Sequence, residues 1–154
     1  MYARILVPTD GSEISAHAER AAIEFARANG SSVVALAVGQ PYPPLAAIEG
    51  AMTIDPVAES AALQAWAAGN AGRVAAAAKA AGVDCVPVAA IAHSVGDAIL
   101  EHAARHGCDL IFMASHGRRG LSRLLAGSVT QDVLAAAPMP VMVLRPQARP
   151  AGAA

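Results

Sequence analysis

The segment Ala114-Ser115-His116-Gly117-Arg118-Arg119-Gly120 runs on through Leu121–Ala126 to Gly127-Ser128-Val129-Thr130, and it holds residue types suited to a phosphate group. Glycine lets an anion come close to backbone N–H donors. Gly127-Ser128 opens an expected helix, whose unpaired N–H groups and dipole favour negative charge. The Ser128 hydroxyl suits a phosphate oxygen or a magnesium ion. The same stretch, Ser128-Val129-Thr130-Gln131, also reads as a capping box, in which the serine caps its own helix. Taken alone, that pattern does not separate a cap from an anion site. Arg118, Arg119 and Arg123 lie in the same segment. Arginines there suit phosphates or an acidic partner, but loop arginines are commonly just solvated, so a functional role is expected for at most one, Arg118, the one beside Gly117. A second polar segment, Pro8-Thr9-Asp10-Gly11-Ser12, follows an apolar run. Asp10 there either organises a turn and caps a helix or faces a ligand.

These segments need elements to hold them. Ala3–Pro8 reads as a buried strand, and Ala18, Ala21, Ala22, Phe25 and Ala26 form one helical face ended by Asn29-Gly30. Ser32–Gly39 is a second strand. Pro41–Pro56 has neither period, which makes it a long connection. Ala58–Ala81 is an alanine-rich helix stopped by Gly82, with Leu63 and Trp66 on one face read as packing. Val83–Ala89 is a third strand, and Pro87 sends it to a sheet edge because proline lacks a ladder donor. Ser94, with Asp97 three residues on, caps a helix that stops near Gly107. Asp109–Ala114 and Pro140–Leu144 are the fourth and fifth strands, with a helix from about Ser128 to Ala136 between them. Strands that are continuous apolar runs, alternating with helices, imply an α/β protein with a doubly wound parallel sheet. Ligands of such sheets sit outside the strand carboxyl ends at the switch point. Both polar segments fall there.

Composition and motifs exclude several functions. The chain has 154 residues, 55% of them hydrophobic, enough for one core, and a net charge of −1. That balance gives no basic footprint for nucleic acid or an anionic membrane. The uncharged run Ser31–Ile48 is broken by Pro41, Pro43 and Pro44, so it is not a membrane span. The N-terminus runs straight into a strand, and no secretory leader is expected. Cys85 and Cys108 fit no metal spacing and read as reduced thiols, consistent with a cytoplasmic protein. His102 and His106 share a helix face but are too few for a metal site. Met113-Ala114-Ser115-His116-Gly117 lacks the first glycine of a nucleophile elbow, and no histidine follows His116. Lys79, the sole lysine, lacks a Walker A context, and no G-x-G-x-x-G follows the first strand.

The stretches ILVPTDGSE, DLIFMASHGRRGLSRLLAGSVT and PMPVMVL resemble the universal stress protein family, whose ATP-binding members carry G-x2-G-x9-G-[ST]. Gly117 and Gly127 stand nine residues apart with Ser128 following, and Ala114 replaces the first glycine. The resemblance implies one domain over residues 1–146; residues 147–154 read by themselves as a disordered tail. It implies five parallel strands in the order 3-2-1-4-5 and helices on both faces. By the same resemblance Asp10 would accept from ribose hydroxyls, with Pro8 and Thr9 on the base side. Val38 would meet adenine through its backbone, and Met113 would lie against the nucleotide. Gly117, Gly127, Ser128, Val129 and Thr130 would hold the phosphates of ATP or AMP, with Mg2+ as the companion of ATP. His93 stands where relatives often have glycine, which would narrow the pocket. The expected function is a nucleotide-dependent stress-response switch with slow hydrolysis at most, dimeric through Val141–Leu144. The alternative is a nucleotide-free interaction protein of the same fold.

Overall fold

The computed structural model describes residues 1–41, 55–115 and 127–145. Gly117, Arg118, His116, Arg119, Arg123, most of the connection from Pro41 to Pro56 and the tail at 147–154 therefore lie outside the described residues. The elements follow in chain order: β1 (Arg4–Thr9), α1 (Glu13–Asn29), β2 (Ser32–Gly39), α2 (Pro56–Ala80), β3 (Cys85–Ile91), α3 (Val95–Arg105), β4 (Leu110–Ala114), α4 (Ser128–Ala136) and β5 (Val141–Leu144). The strands form one sheet in the order β3-β2-β1-β4-β5, with every pairing parallel.

Alternation along each strand divides the core in two. Ile5, Val7, Val33, Ala35, Leu110 and Phe112 face α1 and α2, where Ala22, Ala26, Val74 and Ala78 meet them. Leu6, Val34, Leu36, Ile111 and Met113 face the other way, onto Ala98, Ile99, Ala103 and Val133 of α3 and α4. This is why the strands read as continuous apolar runs: both faces are covered. The small alanines let the helices sit close to the sheet.

Three helices end the same way. Gly30, Gly82 and Gly107 have φ of 68°, 75° and 62°. After each glycine the next N–H turns back onto the helix: Ser31 to Ala26, Val83 to Ala78 and Cys108 to Ala103. These are Schellman ends, which satisfy terminal carbonyls and turn the chain into the next strand. They also correct the expected start of β3. Val83 is apolar and buried, but its N–H closes α2, so pairing begins at Cys85. Pro87 is exposed on that edge strand, as its missing donor requires.

Candidate functional site

The carboxyl ends of β1, β2 and β4 open into a cleft of about 820 Å³, within the range of small-molecule sites. Pro8, Thr9 and Asp10 line it from the end of β1, Val38 from β2 and Met113 from β4. Gly127, Ser128, Val129 and Thr130 line it from the start of α4. Every described residue of the expected site is thus in one cleft.

The start of α4 departs from the expected capping box. Gly127 is the N-cap, with extended backbone (φ −60°, ψ 157°), and no side chain caps the helix. Ser128 is instead the first helical residue, and it is exposed. The first intrahelical bond runs from Gln131 N–H to the Gly127 carbonyl at 2.9 Å. The N–H groups of Ser128, Val129 and Thr130 precede it, at the cleft wall. A helix start in this state favours an anion. The Thr130 hydroxyl donates to the carbonyls of Ala114 (3.2 Å) and Ser115 (3.3 Å), so its hydrogen is committed to the fold. Gly127 N–H donates to the Ser115 carbonyl at 2.8 Å. These bonds fix α4 to the end of β4. Ala114 has no positive φ, since no described residue other than glycine does; its methyl is therefore tolerated without backbone strain. Ser115 is 2% exposed, which is unsuited to an exposed nucleophile.

The turn after β1 is also well defined. Gly11 has φ 73°, and a Cβ there would collide with the Asn70 carboxamide of α2. Asp10 Oδ1 accepts from Ser12 N–H at 3.0 Å, and Ser12 caps α1 by accepting from Ser15 N–H. Asp10 therefore organises the turn while also lining the cleft.

Beneath this turn lies a polar cluster that the sequence reading missed. Glu19 is 3% exposed. It accepts from the Thr9 hydroxyl (2.5 Å), the Ser15 hydroxyl (2.7 Å) and both terminal nitrogens of Arg73 (2.8 and 3.1 Å). Burial pushes the Glu19 pKa up, but the Arg73, Thr9 and Ser15 hydrogen bonds and the Arg73 charge outweigh it, and the carboxyl is held below its ordinary value. A sequence signal existed: Ser15, Glu19, Ala22 and Ala26 share the buried stripe of α1, and a carboxylate on such a stripe needs a partner.

Further residues line the cleft: Leu63 and Trp66 of α2, read from the sequence as packing, and Gln40, Gly96 of α3 and Asp132 of α4, which the sequence reading did not single out. Trp66 also packs against the Ala37, Ala67 and Ala71 cluster, so packing describes only part of its role. Gly96 is needed for helix contact, since a Cβ there would stand 3.0 Å from Asp132 Cβ. His93 lines the cleft as expected, and its carbonyl accepts from Gln40 Nε2 at 2.7 Å.

The histidine pair stands apart from the cleft. His102 and His106 stack with centroids 5.9 Å apart. His102 is half-buried, and burial and the Arg105 charge lower its pKa. No group of three or more metal-ligating side chains occurs among the described residues. Cys108 is buried and its thiol is pushed up to about 11, mainly by burial. Among the described residues no helix is long and apolar enough to cross a membrane.

This order of strands, with a strand-end cleft at the β1/β4 switch point, defines a doubly wound α/β ligand-binding architecture. The chain belongs to the universal stress protein family, whose model matches residues 1–145. It is 30% identical over 147 residues to universal stress protein MJ0531 of Methanocaldococcus jannaschii, covering 94% of this chain and 83% of that protein. The solved structure of MJ0577, from the same organism, superposes with a TM-score of 0.81 at 25% identity, covering 97% of this chain and 99% of that one. The universal stress protein of Archaeoglobus fulgidus, solved in complex with dAMP, has the same fold at 20% identity, with a TM-score of 0.58 and coverage of 92% and 97%.

Proposed function

We propose that this chain binds an adenine nucleotide, ATP or AMP, in the cleft and acts as a nucleotide-dependent switch in the stress response. The observation that carries this reading is the start of α4. Three N–H groups precede the first helical bond, Gly127 offers no side chain to occupy them, and they border the cleft that Asp10 lines. Phosphates sit at α4, the ribose lies towards Asp10, and the base lies between Val38 and Met113. The dAMP complex of the A. fulgidus relative supports an adenine nucleotide as the ligand class. Ser128 and the Asp10 and Asp132 carboxylates are hard oxygen donors, suited to the Mg2+ that accompanies ATP. Gly117 and Arg118 complete the phosphate side of the proposal.

Calorimetry with ATP and AMP tests this. Binding of either at micromolar to millimolar concentration is expected, and no binding of both at millimolar concentration would leave the nucleotide-free interaction protein as the reading. Gly127→Asp sharpens the result. A carboxylate at the N-cap accepts from the free N–H groups and favours the dipole, adding about 0.5–1 kcal/mol of stability. It also occupies and repels the phosphate. A raised Tm together with lost nucleotide affinity is expected; retained affinity would remove α4 from the site.

We further propose a homodimer through β5. This four-residue strand ends the described sheet, with Val141, Val143 and Leu144 half-buried and Met142 36% exposed. Such an edge is a template for another chain. Gel filtration at micromolar concentration should give a dimer, and a monomer alone would refute the interface.

A further inference from the structure

The turn that presents Asp10 is held from below by a chain of four side chains. Each hydroxyl carries one hydrogen, and an ionised carboxylate only accepts. Thr9 and Ser15 both lie within donating distance of Glu19 Oε1, at 2.5 and 2.7 Å; both contacts are shorter than the 3.1 Å between the two hydroxyls and reach a charged acceptor, which directs both hydrogens to Glu19. Their lone pairs are then turned the other way. Thr9 Oγ1 accepts from Gly11 N–H at 3.2 Å, and Ser15 Oγ accepts from Asp10 N–H at 3.4 Å. Arg73 holds the carboxylate through both oxygens, 54 residues along the chain on α2.

We propose that Glu19 and Arg73 are positioning residues for Asp10. Arg73 fixes the Glu19 carboxylate, Glu19 orients the Thr9 and Ser15 hydroxyls, and these hold the backbone of Asp10 and Gly11 that sets where the Asp10 carboxylate stands. Asn70, which donates to the Trp66 carbonyl and covers Gly11, sets the same turn against α2. The geometry of this relay is independent of any ligand. Its consequence for ribose recognition rests on the nucleotide reading above.

The test has two arms, applied to wild type, Arg73→Met, Arg73→Lys and Glu19→Gln. Arg105→Met serves as a control, since it removes an exposed pair with Glu101 on α3. The first arm is amide hydrogen exchange of the free protein. Exchange at Asp10 and Gly11 should be about tenfold faster in Arg73→Met and Glu19→Gln, with Ala98 and Cys108 unchanged. Arg73→Lys, which keeps the charge but not the fork, should fall between. The second arm compares AMP with 2′,3′-dideoxy-AMP. Wild type should prefer AMP, and the relay variants should lose that preference while keeping their affinity for the dideoxy compound, as Asp10→Ala should. Arg73→Met should add nothing on an Asp10→Ala background.

Unchanged exchange at Asp10 and Gly11 overturns the relay. Equal weakening towards both nucleotides overturns its role in ribose recognition. If wild type binds neither nucleotide, the nucleotide reading fails, and the exchange arm still decides whether Glu19 and Arg73 position Asp10.

Discussion

At the scale of single residues, the least symmetric interaction is the Glu19–Arg73 pair. The Glu19 side chain is 4% exposed and that of Arg73 is 47% exposed. Removing the arginine strands a buried carboxylate, whereas removing the carboxylate frees an arginine to turn into water. Arg73→Met should therefore cost roughly 2–4 kcal/mol, discounted from the value for a fully buried pair because the guanidinium is half in solvent. Glu19→Gln should cost less, about 1–2 kcal/mol. Urea titration of both variants measures the difference, and equal costs would mean that the carboxylate is not desolvated. The pH dependence follows from the lowered Glu19 pKa. Its folded value lies below its ordinary value of 4.5, so its contribution is present above that pH and is lost as pH falls through the folded value. The acid limb of a Tm-against-pH curve should be shallower for Glu19→Gln than for wild type. Asp109, also lowered by bonds from Ala3 and Arg4, contributes equally to both curves and cancels in the comparison.

At the scale of elements, the strands were legible because β1, β2 and β4 are covered on both faces and so carry unbroken apolar runs, whereas their order came from the family resemblance. Pro87 placed β3 at an edge. Boundaries were less legible where one residue serves two elements: Val83 has the composition of a strand residue but closes α2. The capping box at Ser128 misled for a related reason. Gly127 carries no side chain, and the pattern of polar residues hid that the cap is a glycine. Glu19 was missed because its partner lies on α2, far along the chain. The placement of α2 over the sheet also depends on Gly39. A Cβ there would stand 3.0 Å from Leu63 Cβ and 3.2 Å from the Leu63 carbonyl oxygen, and helix backbone cannot yield as a side chain can. Gly39→Ala should cost about 1–3 kcal/mol through overpacking. It should also shift the fluorescence of Trp66, one turn along α2 from Leu63. Wild-type stability and emission in that variant would show that α2 rides free of the strand end.

At the scale of the whole molecule, the cleft draws its walls from both halves of the sheet, and α2 touches both the turn after β1 and the cleft. A ligand in that cleft would meet elements far apart in sequence, as the proposed switch requires. The two outer strands have unlike edges. Among the described residues no strand pairs with the outer side of the short β5, whereas β3 exposes Pro87, which has no N–H to give. A sheet that continued from copy to copy would need β5 of one chain to pair with β3 of the next, and Pro87 denies that join a donor. The proposed contact of β5 with another β5 is instead a two-fold arrangement that closes on itself. Pro87→Val should restore the donor and permit larger assemblies, seen as concentration-dependent light scattering; a strictly dimeric Pro87→Val protein would mean that something other than Pro87 limits growth. In the proposed dimer, a single ring nitrogen on the outer strand β3 would thus set a finite stoichiometry, denying the sheet the join that would extend it into a fibre.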